Sequence, residues 1–224
     1  MSHDYRALKT AELADFSDFL HDLSDALWDT PSLCEGWKVR DVVSHIAIGY
    51  TVPLRVIVGQ IAKYRGNVDK GSDVLSRAFG RDHTPGQILA ALDRGRDRPR
   101  GVGRIEKPHE ALVDHLVHQQ DCRRPLGLLR TIPAERAIAL VDALPRAGGF
   151  VASKQRVAGL RLVAVDVDHA VGQGPEVLGT AEALALAATG RAVALDELEG
   201  AGAAVLRARV GGTRPGIAEQ GVAR

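Results

Sequence analysis

The stretch CEGWKVRDVVSH (residues 34–45) leads from a glycine-containing turn into an amphipathic helix that carries His45. A second stretch, DHLVHQQD (residues 114–121), has the spacing of another helix. Residues four apart share one face of a helix, so Asp114 and His118 lie side by side. A histidine from another helix would complete a two-histidine, one-carboxylate site with open coordination positions, which is typical of catalytic metals. The two stretches therefore predict helices that bring His45, Asp114 and His118 around one metal ion.

The second stretch also offers alternatives to this ligand set. Asp114, His118 and Asp121 occupy one narrow arc of the helical wheel, which is either a polar seam in solvent or an inward-facing site. In the second case Asp121 accepts a hydrogen bond from a ligating imidazole and fixes its tautomer. His115 is the competing ligand, roughly sixty degrees round the wheel, and we expect it to turn toward solvent. Cys122 is a minor ligand candidate, and both Cys34 and Cys122 are otherwise expected to be small buried hydrophobic residues.

Hydrophobic spacing, together with proline and glycine boundaries, predicts five helices in the first 150 residues. They are a helix through residues 13–27, one from Val39 to Pro53, one opening at Thr84-Pro85, one from Pro108 to Arg123, and one opening at Ile132-Pro133. Residues 66–71 and 93–104 are predicted as connections. This order of helices is typical of a four-helix bundle with an extra helix.

The pattern changes after residue 150. Alternating valines at positions 163, 165 and 167 predict a strand, and residues 151–157 are a candidate second strand. Residues 172–175 are predicted as a turn, residues 180–190 as a capped helix and residues 195–209 as a last helix. The predicted fold is mainly α, with a helical bundle over residues 1–150, a small α+β domain over 151–210 and a flexible tail over 211–224.

Composition narrows the possible partners and the cellular location. The 224 residues include 45% hydrophobic and 25% charged side chains, as expected of a globular protein with a core. A net charge of +1 and only 4% aromatic residues argue against a nucleic-acid or anionic-membrane partner. No segment is predicted to be a signal peptide or to span a bilayer. Cys34 and Cys122 are too few for a disulfide framework, so a cytoplasmic location is predicted.

Three separated blocks resemble the mycothiol-dependent maleylpyruvate isomerase family. They are PSLCEGWKVRDVVSH (residues 31–45), VHQQDCRRPLG (residues 117–127), and GLRLVAVDVD (residues 159–168) with the later GQGPEV and GR. The resemblance implies a DinB-like four-helix bundle and a divalent metal, usually zinc, held by His45, Asp114 and His118. The family motif has glutamate where this chain has Asp114, one methylene shorter. That difference is expected to weaken or shift the metal, or to recruit His115.

The resemblance also implies a function. Mycothiol would be the thiol cosubstrate, and the metal would favour its thiolate, which attacks a small electrophile. Addition followed by elimination gives an isomerase, whereas simple capture gives an S-transferase. A non-catalytic small-molecule binding or sensor module on the same bundle is the alternative, because fold does not fix function. Metal-assisted hydrolysis is a third possibility. The sequence leaves open the electrophile, the metal and the oligomeric state.

Overall fold

Helices form most of the chain in a computed structural model that describes residues 3–149 and 151–212. The fold class is the predicted one, a mainly α bundle followed by a smaller α+β part. The chain divides into two compact units, Met1–Thr131 and Ile132–Arg224. Among the described residues, no helix combines the length and apolar character needed to cross a membrane.

Six helices build the first unit. They are α1 (Tyr5–His21), α2 (Val39–Thr51), α3 (Leu54–Lys63), α4 (Val68–Asp82), α5 (Pro85–Asp97) and α6 (Pro108–Arg123). Helix α2 packs against α4, α5 and α6, and α1 packs against α5 and α6. The core between α1, α2 and α5 is apolar, and its residues Phe16, Val42 and Leu92 are fully buried. Helices α1, α2, α5 and α6 are thus the four-helix bundle that the sequence predicted.

Local hydrogen bonds explain where the two helices of the predicted site begin. The Asp41 carboxylate accepts a hydrogen bond from Lys38 N at 2.9 Å, which caps the first turn of α2. Pro108 occupies the first position of α6, where its missing N–H leaves no helical bond unmade. Helix α6 ends at Arg123, so both of its predicted boundaries are confirmed.

Helices α3 and α4 were not predicted, and residues 66–71 were expected to be a connection. The Asn67 side chain accepts a hydrogen bond from Lys70 N at 2.9 Å and starts α4 within that stretch. Gly71 then lies against Ile61, since a Cβ at Gly71 would stand 3.3 Å from Ile61 Cα. The glycine that suggested a loop is a close contact between two helices.

Helix α5 begins as predicted but ends later. The Thr84 hydroxyl accepts a hydrogen bond from Gln87 N, and the Gln87 side chain accepts one from Thr84 N, a reciprocal cap. The charged stretch 93–104 was predicted as a connection, yet α5 continues to Asp97. Asp93 accepts a 2.5 Å hydrogen bond from the Ser17 hydroxyl on α1, which holds this charged turn against the bundle.

The described part of the second unit contains a short sheet and four α-helices. They are α7 (Ala134–Ala143), α8 (Ser153–Val157), β1 (Arg161–Ala164), β2 (His169–Gly172), β3 (Glu176–Gly179), α9 (Ala181–Ala188) and α10 (Ala201–Gly212). The strand order is β2-β1-β3. Leu162 of β1 pairs with Val171 of antiparallel β2 and with Val177 of parallel β3.

Several boundaries in this unit differ from prediction. Helix α7 was expected in the bundle but packs on the sheet and α9, so the compact units divide after Thr131, not at residue 150. The candidate strand over residues 151–157 is the short helix α8. Strand β1 ends at Ala164. The tail predicted for residues 211–224 lies outside the described residues, except for its first two, which end α10.

Replacing Gly95 by alanine tests the packing of α5 on α2. A Cβ there would meet Tyr50 Cβ at 2.6 Å, whereas a Cβ at Gly86, also in α5, would meet nothing within 4 Å. We expect Gly95→Ala to lower the free energy of unfolding by about 1–3 kcal/mol through overpacking. Gly86→Ala should be neutral or slightly stabilising, because alanine favours helix. Urea unfolding monitored by circular dichroism measures both, and equal stabilities would contradict this packing.

Candidate metal centre

The three residues predicted to share a metal lie together between α2 and α6. One ligand atom each from His45, Asp114 and His118 can be chosen so that all three lie within 4.8 Å of one another. His118 Nε2 is 3.5 Å from Asp114 Oδ1, and the His45 and His118 ring centroids are 5.1 Å apart. These distances suit donors that converge on one cation.

The second nitrogen of each imidazole already has a partner. His118 Nδ1 is 2.8 Å from Asp121 Oδ2, and His45 Nδ1 is 3.0 Å from the Ser72 hydroxyl on α4. Such contacts fix ring orientation and tautomer. They identify Nε2 as the nitrogen that each ring offers to the space between them. The sequence suggested the role of Asp121, but Ser72 was missed because α4 was not predicted to begin before it.

Carboxylates dominate the electrostatics of His118. Burial by itself lowers its pKa, since the imidazolium is poorly solvated there. The charge of Asp114 and the hydrogen bond to Asp121 outweigh that effect and raise the pKa of His118 well above its usual value. The position therefore favours positive charge between α2 and α6.

Cys34 forms a second cluster with His118 and Asp121. Its thiol donates a hydrogen bond to Asp121 Oδ2 at 3.1 Å, and Sγ is 3.9 Å from His118 Nδ1. The turn before α2 places it there, because Leu33 N donates to the backbone oxygen of Asp121 at 3.0 Å. The sequence suggested that Cys34 was a small buried hydrophobic residue. It is instead half-buried and bound to a carboxylate.

Helix α4 also supplies a polar rim beside His45. Trp37 Nε1 donates to Asp73 Oδ1 at 2.9 Å, and the Trp37 ring lies 5.6 Å from the His45 ring. Arg77 Nε pairs with Asp73 at 2.5 Å and Lys70 Nζ pairs with it at 3.2 Å. Partial burial raises the pKa of Asp73, but these hydrogen bonds outweigh burial and lower it. Trp37 is thereby held as one wall of the site.

The two minor ligand candidates lie elsewhere. His115 was expected to face solvent, but it is 1% exposed and its Nε2 is 3.2 Å from the Tyr50 hydroxyl. That hydroxyl also donates to Glu106 at 2.5 Å, and burial lowers the pKa of His115. Cys122 is fully buried, and burial raises its pKa. Within the described part of the chain, neither residue joins either ligand cluster.

Thiol labelling tests the different positions of the two cysteines, which are both unbridged. We expect an alkylating reagent to modify Cys34 in the native protein and to spare Cys122 until the chain is unfolded, because only Cys34 is reached by solvent. Peptide mass spectrometry identifies the modified residue, and Cys34→Ser is the control that should abolish native labelling. Native modification of Cys122 would contradict the structure.

Comparison with known proteins finds a family match in the first unit. Residues 10–102 match the family model of the mycothiol maleylpyruvate isomerase N-terminal domain. No curated protein sequence is significantly similar to the chain. Two solved structures are similar to this chain, each with a TM-score of 0.49. Each alignment covers 88% of this chain and 92% of the chain in the solved structure. They are the mycothiol-dependent maleylpyruvate isomerase, 15% identical, and a histidine-to-alanine mutant of it, 14% identical.

The matched segment contains the turn with Cys34 and the helix with His45, and it stops before α6. The resemblance seen in the sequence is therefore confirmed over residues 10–102, which match the N-terminal domain of mycothiol maleylpyruvate isomerase.

Proposed function

We propose that this protein is a metal-dependent enzyme that uses mycothiol to isomerise a small electrophile or to add the thiol to it. The observation that carries the proposal is the convergence of His45, Asp114 and His118 within 4.8 Å. It occurs in a chain whose residues 10–102 match the N-terminal domain of mycothiol maleylpyruvate isomerase. Neither the domain match nor the cluster would carry it alone, because a fold hosts many functions and His/Asp clusters also form without metal.

The donor set fits a divalent metal. Two imidazoles and one carboxylate leave coordination positions for a further ligand, and this set suits zinc as well as several other first-row divalent metals. The contacts of Nδ1 with Ser72 and Asp121 support Nε2 ligation by both histidines. Asp114 is shorter than the glutamate of the family motif, yet its Oδ1 already lies 3.5 Å from His118 Nε2. The shorter side chain thus reaches the point where the imidazoles converge.

A bound divalent cation would supply one effect, which is to favour the thiolate of a thiol that enters the site. The protein's own residues prepare that position. Asp121, with 0% of its side chain exposed, holds His118 in place, and Ser72 holds His45. Asp114 is 33% exposed, so the ligand cluster opens toward solvent on the Asp114 side. We expect the thiol and the electrophile to enter from that side.

The reaction consumes no oxidant or reductant, because the thiol and the electrophile supply all the atoms and electrons. The thiolate sulfur forms a bond to one carbon of a cis double bond conjugated with a carbonyl, and the electron pair moves to the carbonyl oxygen. Rotation about the former double bond, which is now single, and return of the electron pair from oxygen with expulsion of the thiolate restore the double bond in the trans configuration. The thiol is then returned unchanged. If a proton instead traps the adduct, the thiol is consumed, and the protein acts as an S-transferase.

Turnover and metal content of matched variants test the proposal. We expect zinc-loaded wild type to convert a cis-enedioate with mycothiol, and His118→Ala to lose at least 100-fold in kcat/KM together with its metal, since a lost ligand removes the site. His21→Ala, a partly exposed histidine on α1, is the control and should keep both. Proton NMR follows the alkene and the thiol, and elemental mass spectrometry counts zinc per chain.

The outcomes separate the alternatives. A trans product with constant thiol identifies an isomerase, and stoichiometric loss of thiol identifies an S-transferase. Zinc binding with no turnover across a panel of electrophiles would instead support a non-catalytic binding module. Product formation without thiol would support hydrolysis. Undiminished thiol-dependent turnover by His118→Ala would overturn the proposal.

A further inference from the structure

A cavity of about 1000 Å³ lies in the first unit, between the end of α2, the end of α4 and α5. This cavity is lined by residues that include Arg94, Arg98 and Arg100 and the aromatic residues Phe79 and His83. We call it the arginine groove. None of its lining residues belongs to the metal centre, so it is a separate site with its own chemistry.

The three arginines of the groove carry charge that no carboxylate balances. All three are exposed, and among the described residues none has an acidic partner. The single acidic residue of the lining, Asp97, pairs with Arg96 at 3.3 Å. Elsewhere in this unit arginines do pair with acids, for example Arg77 with Asp73.

The helix dipole does not account for this arrangement. A cation in the last turn of a helix is favourable, and Arg94 occupies the last turn of α5. Arg98 and Arg100 follow the helix, and their charges repel that of Arg94. Three guanidinium groups on one concave surface form a natural site for several negative charges, because each presents a planar fork that matches phosphate.

The lining of the groove also contains two aromatic rings. The rings of Phe79 and His83 stack with centroids 4.0 Å apart and an angle of 18° between their planes. His83 is held there, since its Nδ1 lies 3.0 Å from the Phe79 backbone oxygen. A flat pair of rings offers a stacking surface for a planar heterocycle.

We propose that the arginine groove binds a small molecule that joins a di- or triphosphate to a planar ring, the chemistry of a nucleoside phosphate. The arginines would hold the phosphates, and the Phe79–His83 pair would stack with the ring. The cavity volume suits a ligand of that size.

Isothermal titration calorimetry tests the proposal on the full chain. The probes are ATP, inorganic triphosphate and adenosine, each titrated at low ionic strength. The test protein carries Arg94→Gln, Arg98→Gln and Arg100→Gln together. The control carries Arg6→Gln, Arg55→Gln and Arg81→Gln, which removes the same charge from exposed arginines outside the groove.

We expect ATP to bind wild type and the control, and to bind the groove variant at least roughly tenfold more weakly, as three lost charge-assisted contacts imply. Inorganic triphosphate should bind more weakly than ATP, and adenosine weaker still. Equal ATP affinity in the groove variant and the control, or no binding by wild type, would overturn the proposal. Equal affinity for triphosphate and ATP would contradict stacking of the ring on the Phe79–His83 pair and would identify inorganic polyphosphate as the ligand.

Failure of this proposal is distinguishable from failure of the proposed thiol chemistry. The substituted arginines touch none of the metal-centre residues, so zinc content and thiol-dependent turnover should not change in the groove variant. Unfolding temperatures of the three proteins show whether the substitutions alter the fold.

Discussion

The buried carboxylate of Asp121 is the interaction on which the first unit depends. Its side chain is 0% exposed, and its Oδ2 accepts hydrogen bonds from both His118 and Cys34. Its backbone oxygen accepts a further one from Leu33 N. A buried carboxylate without partners is strongly destabilising, so these contacts tie α6 to the turn that precedes α2. That turn leads directly into α2, on which the His45 ring lies 5.1 Å from the His118 ring.

The same carboxylate links structure to chemistry. Held by Asp121, His118 directs Nε2 toward Asp114 and His45, and two acidic side chains raise its pKa. The same negative charge would attract a divalent cation, which would have to displace the proton from the imidazole in order to bind. Helix α4 completes the arrangement from the other side with Ser72 and the Trp37–Asp73 pair.

The sequence predicted the bundle and the Asp114–His118 pair because both depend on local periodicity, whereas His45 was assigned to the site with the help of the family resemblance. Helical spacing alone aligned Asp114 with His118, and proline placed the start of α6. The features that were predicted wrongly depend on contacts between residues that are distant in the chain, which periodicity does not describe. Gly71 suggested a loop because its packing against Ile61 cannot be read from its neighbours in the chain.

The remaining errors have the same origin. The helical wheel placed His115 and His118 on different faces of α6. It could not show that His115 would be buried against the Tyr50 hydroxyl, which in turn donates to Glu106. The four-residue strands β2 and β3 are too short to show alternation. Helix α7 has the length and spacing of a bundle helix, and only its packing on the sheet places it in the second unit.

X-ray absorption spectroscopy of the zinc-loaded protein tests the central claim most directly. His118 belongs to two clusters, one with His45 and Asp114 and one with Cys34 and Asp121. Our account predicts a shell of nitrogen and oxygen atoms at about 2.0–2.1 Å with imidazole scattering from two histidines and no sulfur. A sulfur atom at about 2.3 Å would place the metal on Cys34 and contradict the account.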